Sequence, residues 1–358
     1  MDASDQLKQQ VAQAFVDKTP LNINGGGSKR FLGVQSDADA LSTANHSGIV
    51  SYEPSELVFT AKAGTTLSEL RTTLAEHKQM LAFEPPAFDG AATIGGTIAC
   101  GLSGPARPYI GAARDFILGC SIVNGRGQQL TFGGQVMKNV AGYDVTRLMT
   151  GAMGTLGVLL DVSMKVLPIA ESEITMAQQT DVNSAITAMQ TLAGKSLPVT
   201  ASAYIDGQLY YRLSGSSAAI SAAAAQLGGD PVSNNDLWHS LREHTHKHFD
   251  RTDLPLWRLS LPALTPDLTP ELDGPTDTLY DWAGTQRWVF TDTDATQIRK
   301  IASKAGGHAQ LFRADTGLKK SVGVTHPPSA AVMKLHHNLK QEFDPAGILN
   351  PGRLYADL

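Results

Sequence analysis

Residues 91–101 read Ala-Ala-Thr-Ile-Gly-Gly-Thr-Ile-Ala-Cys-Gly, and the run continues through Ser103-Gly104. A stretch this dense in glycine is a poor core strand, because glycine brings no side chain to pack. It offers close backbone approach instead, and a flat ring system needs that clearance. Upstream lies a second cluster, Asn24-Gly25-Gly26-Gly27-Ser28-Lys29-Arg30. Three glycines let consecutive N–H groups turn toward one point as an anion nest, since glycine adopts positive φ at little cost. Ser28 adds a hydroxyl, and Lys29 and Arg30 add positive charge. A pyrophosphate fits such a loop: charge-assisted hydrogen bonds contribute roughly 1.5–3 kcal/mol each, so four or five hold a dinucleotide without a covalent link. The loop is not a Walker A loop, whose Gly-Lys-Ser/Thr order is absent.

Two further motifs follow in the chain. Lys138-Asn139-Val140-Ala141-Gly142-Tyr143-Asp144 precedes Gly151-Ala152-Met153-Gly154-Thr155-Leu156-Gly157-Val158, whose glycines sit three apart and lead into a strand. A nicotinamide-binding G-x-G-x-x-G must follow a strand and open a helix; here the order is inverted. The tail reads Phe343-Asp344-Pro345-Ala346-Gly347-Ile348-Leu349-Asn350-Pro351-Gly352-Arg353. Before it, Val332, Leu335, Leu339 and Phe343 repeat at helical spacing and predict one apolar helix face.

Composition narrows the classes. The chain has 358 residues, 42% of them apolar, with 29 Lys and Arg against 34 Asp and Glu, a formal charge of −5. That length favours two domains, and no basic excess or stripe of a nucleic-acid protein is seen. No segment approaches the 18 or so apolar residues of a membrane helix, and the start carries Asp2, Asp5, Lys8 and Asp17 rather than a signal-peptide pattern. A cytoplasmic protein is expected, reaching a membrane only through a partner. The two cysteines, Cys100 and Cys120, are too few for an iron–sulfur cluster and are expected as small buried residues.

The coarse pattern is α+β rather than the βαβ alternation of a Rossmann sheet. Leu57–Ala63 alternates as a strand; Thr66 and Glu69 form a capping box before Leu67, Leu70 and Leu74 at helical spacing. Strands are predicted at 116–123 and 128–132 around the Asn124-Gly125-Arg126-Gly127 turn, and at 158–166, closed by Pro168. Beyond Pro168 glycine becomes sparse. Strands at 173–179, 257–261, 279–282, 286–291 and 308–312, a hairpin at 199–213 turning at Asp206-Gly207, and helices at 183–192, 218–227, 235–249 and 295–304 predict a small antiparallel sheet backed by helices. Residues 262–278 read as a surface loop.

Taken together and in this order, the motifs resemble the FAD-binding domain of the vanillyl-alcohol oxidase, or PCMH, family. The likeness spans about residues 18–168 and 326–353. Within that family the chain resembles the glycolate oxidase/dehydrogenase branch, which oxidises 2-hydroxy acids, and most nearly its smaller FAD-binding subunit type. The resemblance implies a two-lobed FAD-binding domain at 1–168, a short antiparallel α+β cap at 169–325, and a helix and tail at 326–358 that return to the FAD domain. It implies non-covalent FAD, with Gly25, Gly26, Gly27, Ser28 and Lys29 at the pyrophosphate. Thr93, Gly95, Gly96, Thr97, Gly101 and Gly104 would lie along the cofactor, Gly157 and Val158 by the adenine or ribose, and Asn350 near the flavin ring. It further implies a larger catalytic flavin subunit and an iron–sulfur subunit as partners, with glycolate oxidised to glyoxylate by the complex.

The chain departs from the large catalytic subunits of that branch. Their metal-binding pattern, roughly G-H-x-G-D-G-N-x-H with a later E-H pair, is reduced here to His308 in Gly306-Gly307-His308. No metal site is expected, and the alternative function is that of a non-catalytic docking paralogue. His244 and His248 would share a helix face. Arg212, Arg258 and Arg287 can each grip a carboxylate bidentately, and the sequence does not choose among them. A stand-alone reductase of the cell-wall UDP-N-acetylenolpyruvoylglucosamine type is a third reading, opposed by the terminal L-N-P-G-R.

Overall fold

The computed structural model describes residues 1–88, 90–134, 144–233 and 236–358. The chain divides into two compact units. The first takes residues 1–102, 112–168 and 327–358; the second takes 103–111 and 169–326.

The first unit is built on a five-stranded antiparallel sheet ordered Ile49–Glu53, Val58–Lys62, Val158–Lys165, Ile117–Val123, Gln129–Gly133. Leu160, Val162 and Met164 alternate inward along its central strand and are fully buried, as period two requires. The opening helix Ser4–Asp17 lays Leu7 and Val11 on a core shared with Val123, Val158, Leu160, Ile348 and Leu349. Thr66 caps the helix Leu67–Glu76 by accepting from the Glu69 N–H at 3.1 Å. Only this half of the expected capping box forms among the described residues. The flanking amides go to a cross-connection instead: Leu67 N–H donates to Ala92 at 2.8 Å and Ile94 N–H to Thr65 at 2.9 Å.

The tail closes this unit. Leu21 N–H donates to Ile348 and Asn350 N–H to Leu21, so residues 348–350 run beside the strand Leu21–Asn24. Asp344, fully enclosed, accepts from the Ile348 and Leu349 N–H groups and pairs with buried Lys340 at 2.8 Å. Lys340 also donates to the carbonyls of Thr155 and Leu349. The helix Ala330–Phe343 therefore buries a charged residue on its inner side. The apolar face expected from Val332 and Leu335 is instead exposed, at 43% and 60%, because the inner contacts are polar ones to backbone carbonyls.

The second unit carries an eight-stranded antiparallel sheet, larger than the small one expected. Its order is Asp230–Pro231, Ser172–Gln179, Gln208–Gly215, Val199–Ile205, Thr276–Asp281, Gln286–Thr291, Leu256–Ser260, His308–Arg313. The hairpin turns at Asp206-Gly207, both at positive φ. The helix expected over 235–249 is broken: Leu237–Glu243 ends at His244, whose φ is 56°, and a 3₁₀ turn spans Lys247–Asp250. His244 caps in the left-handed region and stacks on Phe249 at 3.9 Å, so it does not share a helix face with His248, which pairs with Asp277. The 262–278 segment is no free loop either. Leu268 is buried, and Arg287 donates to the carbonyls of Thr265 and Pro266.

Candidate functional site

A cleft in the first unit is walled by three segments. The strand Leu21–Asn24 pairs in parallel with Asp39–Ser42 and runs into the glycine loop, which turns at Gly27 (φ 79°) and closes with Arg30 N–H on the Gly27 carbonyl. A Cβ on Gly26 would stand 1.4 Å from the Ala91 carbonyl oxygen, and one on Gly25 2.4 Å from Thr93 Oγ1. Gly26 thus meets backbone and Gly25 the Thr93 hydroxyl, with no room for a side chain at either. Among the described residues nothing accepts from the N–H groups of Gly26, Gly27 and Ser28. Orphan donors of this kind, beside cations, make an anion site.

The second wall is the helix Ile94–Cys100, capped by Thr93 Oγ1 accepting from Gly96 N–H at 3.2 Å. Helical spacing sorts its faces. Thr93, Gly96, Ala99 and Cys100 line the cleft, while Ile94, Thr97 and Ile98 are buried. The third wall is the tail: Asn350 Oδ1 accepts from Ile23 N–H at 2.7 Å, and its Nδ2 donates to the Met153 carbonyl at 2.6 Å. Two adjoining spaces result, of about 490 and 480 Å³, which share Ile23, Gly25, Gly96, Ala99, Met153 and Asn350. Neither is lined by a carboxylate among the described residues.

The electrostatics are one-sided. Lys29, Arg30 and Arg353 all line the first space, and Lys29 Nζ also sits 5.7 Å from the Phe88 ring. Burial holds Arg353 below its ordinary pKa; Cys100 opposes that shift and Arg30 adds to it. Burial pushes the Cys100 thiol up against the pull of Lys29 and Arg353, so it stays protonated near neutrality and is a poor nucleophile.

Of the residues singled out from sequence, the structure brings Gly25, Gly26, Gly27, Ser28, Lys29, Thr93, Gly96 and Asn350 onto the first space. Gly95 and Gly157 line the second. Four sit elsewhere. Thr97 is fully buried with its hydroxyl unpartnered. Gly101 caps the helix at φ 63° against Gly151. Val158 packs its side chain into the core below the first helix. Gly104 belongs to the second unit, where its carbonyl accepts from the Trp282 indole. Residues 138–143 of the K-N-V-A-G-Y-D motif lie outside the described residues; Asp144 caps the following helix through Arg147 N–H. Arg353, Ala99, Met153 and Gly154 join the cleft unannounced. The closing arginine of L-N-P-G-R was the one legible signal among them.

The second unit has a larger groove, about 1030 Å³, beside Ser184, Thr187, Leu192, Leu209 and Tyr211. Its lining also carries Lys195, the one charged residue among the described lining, with the polar Gln178, Asn183 and Thr191. Arg212 is used structurally, against Thr200 and Glu173, as is Arg287. Among the described residues no group of three or more His, Cys, Asp or Glu is arranged to hold a metal ion.

The cleft can be set beside known proteins. The chain is 44% identical over 357 residues to glycolate oxidase subunit GlcE of Escherichia coli K12, covering 100% of this chain and 99% of that protein. The chain belongs to the GlcE family. Residues 2–133 of this GlcE-family chain match the model of an FAD binding domain. Glycolate oxidase subunit GlcD of Bacillus subtilis is 32% identical over 155 residues, 42% of this chain and 33% of that protein. The crystal structure of p-cresol methylhydroxylase with substrate bound superposes with a TM-score of 0.72 at 15% identity, over 100% of this chain and 88% of that one, so the GlcE-family fold is of the PCMH type.

Proposed function

We propose that this chain is the FAD-binding subunit of a multi-subunit oxidase of 2-hydroxy acids, with glycolate as substrate and glyoxylate as product. The full-length match to GlcE supports this most directly, and the cleft fits the cofactor on its own terms. The orphan N–H groups of Gly26, Gly27 and Ser28, with Lys29, Arg30 and Arg353, suit a pyrophosphate. The small-residue face of Gly96, Ala99 and Cys100 leaves room for a flat ring. Bound there, FAD supplies a two-electron acceptor. The residues of this chain bind and orient it: Asn350 holds the tail against Ile23 and Met153, and Thr93 fixes the helix that forms the wall.

The FAD is held non-covalently in this reading: the described lining residues include no histidine, and burial pushes up the one thiol among them, Cys100. The first unit with its returning tail serves as the FAD domain and the second as a cap. A larger flavin subunit and an iron–sulfur subunit carry electrons onward. No described helix is long and apolar enough to cross a membrane; the chain works in the cytoplasm and meets a membrane through its partners.

The test is an absorbance spectrum of the purified chain, then acid precipitation, then turnover of the reconstituted complex. A yellow chain whose flavin is released by acid supports non-covalent binding. Unchanged turnover of an intact complex whose Gly26-side cleft cannot hold flavin would replace the redox role with a docking role.

A further inference from the structure

One face of the second unit's sheet is covered incompletely. Leu209 and Tyr211 stand two apart on the strand Gln208–Gly215, so they share that face. Leu209 packs with Ala185, Ile186 and Met189 in one core cluster, while Tyr211 packs with Leu192, Ile220 and Ala223 in another. Along this seam runs the groove of about 1030 Å³, open to solvent on one side. Its rim is the helix Val182–Ala193, 12 residues long, which is about 18 Å at 1.5 Å per residue. That helix lines it with small residues, Ser184, Thr187, Ala188 and Thr191, recurring at helical spacing. A second helix, Ser217–Leu227, is rich in alanine and reaches the groove through Leu227. Small walls over a floor of Leu192, Leu209 and Tyr211 leave the bulk to come from an occupant.

The polar groups of the lining are mostly spent within the chain. Thr187 donates its hydroxyl to the Asn183 carbonyl at 3.0 Å, and Thr191 donates to the Thr187 carbonyl at 2.9 Å. The Gln178 amide donates to the Leu227 carbonyl at 2.8 Å, and the Tyr211 hydroxyl donates to the Gly228 carbonyl. Asn183 Oδ1 accepts from the Asp267 N–H at 3.3 Å. A sugar or nucleotide would find few donors left to bond. The exception is Lys195, beyond the end of the rim helix, whose ammonium group has no partner among the described residues. No carboxylate stands among the described lining. The occupant that complements this groove is therefore apolar along its length and anionic at one end. An acyl chain would lie half in water in an open trough, whereas an amphipathic helix brings its own polar outer face.

We propose that this groove docks a helix of another subunit of the complex, an amphipathic helix with bulky aliphatic side chains three and four apart and an acidic residue at one end. The aliphatic side chains seat on Leu209 and Tyr211 against the small rim, and the carboxylate meets Lys195. That another subunit exists rests on the reading of the chain as one part of an oxidase complex; the chemistry of the docked helix rests on the groove.

Co-expression of the full chain with its partner subunits, followed by affinity purification, tests this. Thr187→Trp and Thr191→Trp fill the trough from its exposed rim and should lower the partner recovered by about tenfold or more. The thermal midpoint and flavin absorbance of the chain should not move. Lys195→Glu should weaken assembly roughly two- to fivefold, the scale of an exposed ion pair. Amide hydrogen exchange of the unaltered chain gives a readout independent of any variant: the helix Val182–Ala193 should exchange more slowly in the complex than alone. Full assembly of a folded tryptophan variant, or no added protection of that helix, would overturn the docking site; full assembly of Lys195→Glu would overturn the acidic occupant. Saturable binding of dodecanoate that the tryptophans abolish, with assembly untouched, would put an acyl chain in the groove and overturn the helix. A wild-type chain that recovers no partner would sink the subunit reading itself and the docking site with it, whereas a complex that forms with its groove filled sinks the docking site alone.

Discussion

The cleft of the first unit and the polar sheet face of the second are built in opposite ways. The cleft is made largely of backbone, with Lys29, Arg30 and Arg353 on its lining: orphan N–H groups on a glycine turn, a helix wall of Thr93, Gly96 and Ala99, and a tail held by main-chain bonds and the Asn350 side chain. The sheet face is made of side chains, Arg258, Gln286, Trp282 and His308, which register and one fixed indole bring together. A backbone site is encoded by what is missing, namely Cβ atoms. A side-chain site is encoded by pairings between strands far apart in the chain. The first kind tolerates little substitution and the second exchanges residues at modest structural cost.

The sharpest way to break that contrast is Lys340→Met. It leaves Asp344 unpaired and enclosed, and two carbonyls unsatisfied. Breaking a buried pair from one side costs about 3–5 kcal/mol, so chemical denaturation should show the first unit unfolding at markedly lower urea. A loss below about 1 kcal/mol would mean the tail is not the clasp described.

Gly26→Ala comes next. The added methyl meets the Ala91 carbonyl, and the resulting overpacking belongs at the top of the usual range, about 3 kcal/mol. Flavin content per chain, read from the visible spectrum, should fall to near zero. Normal flavin content would show that the loop has slack, and that the cleft is not defined by missing Cβ atoms.

Arg353→Gln removes one cation from the cleft and keeps the shape. One charge-assisted hydrogen bond contributes roughly 1.5–3 kcal/mol, so FAD dissociation should rise at least tenfold in a titration of the apo-chain. No change would assign the anion to Lys29 and Arg30 alone.

The smallest effect is a pH slope in the second unit. Burial, with Arg313, His248 and Arg258, holds His244 well below its ordinary value of 6.5. The unfolded chain therefore binds the proton more readily than the folded one. The stabilisation is complete above about pH 6.5 and is lost as pH falls toward the folded value. His244→Phe, which preserves the stack on Phe249, should flatten the fall of the thermal midpoint between pH 7 and pH 5. An unchanged slope would place the titration on other histidines.

The legibility of the two regions follows the same division. Gly25–Lys29 and Thr93–Gly96 were readable because a glycine's steric freedom is a property of the residue itself, and a short loop keeps its members adjacent. The hairpin at Asp206-Gly207 was readable for the same reason. Val332 and Leu335 misled, because helical period reports which residues share a face and not which face is covered. The helix expected through 249 failed at His244, where a stack on Phe249 and a left-handed cap outweighed local propensity.

By itself, the sequence determined the glycine turns, the cap at Thr66 and the strand alternation, which depend on neighbours within a few residues, and, through the order of its motifs, the family of the fold. Only the tertiary structure decided that Asn350 locks Ile23 to Met153, that Lys340 and Asp344 are the buried pair of the tail, and that Arg212 stands over Trp238 and Arg258 over Trp282. Those choices depend on bonds spanning up to 327 positions of the chain, and no local preference carries information over that distance.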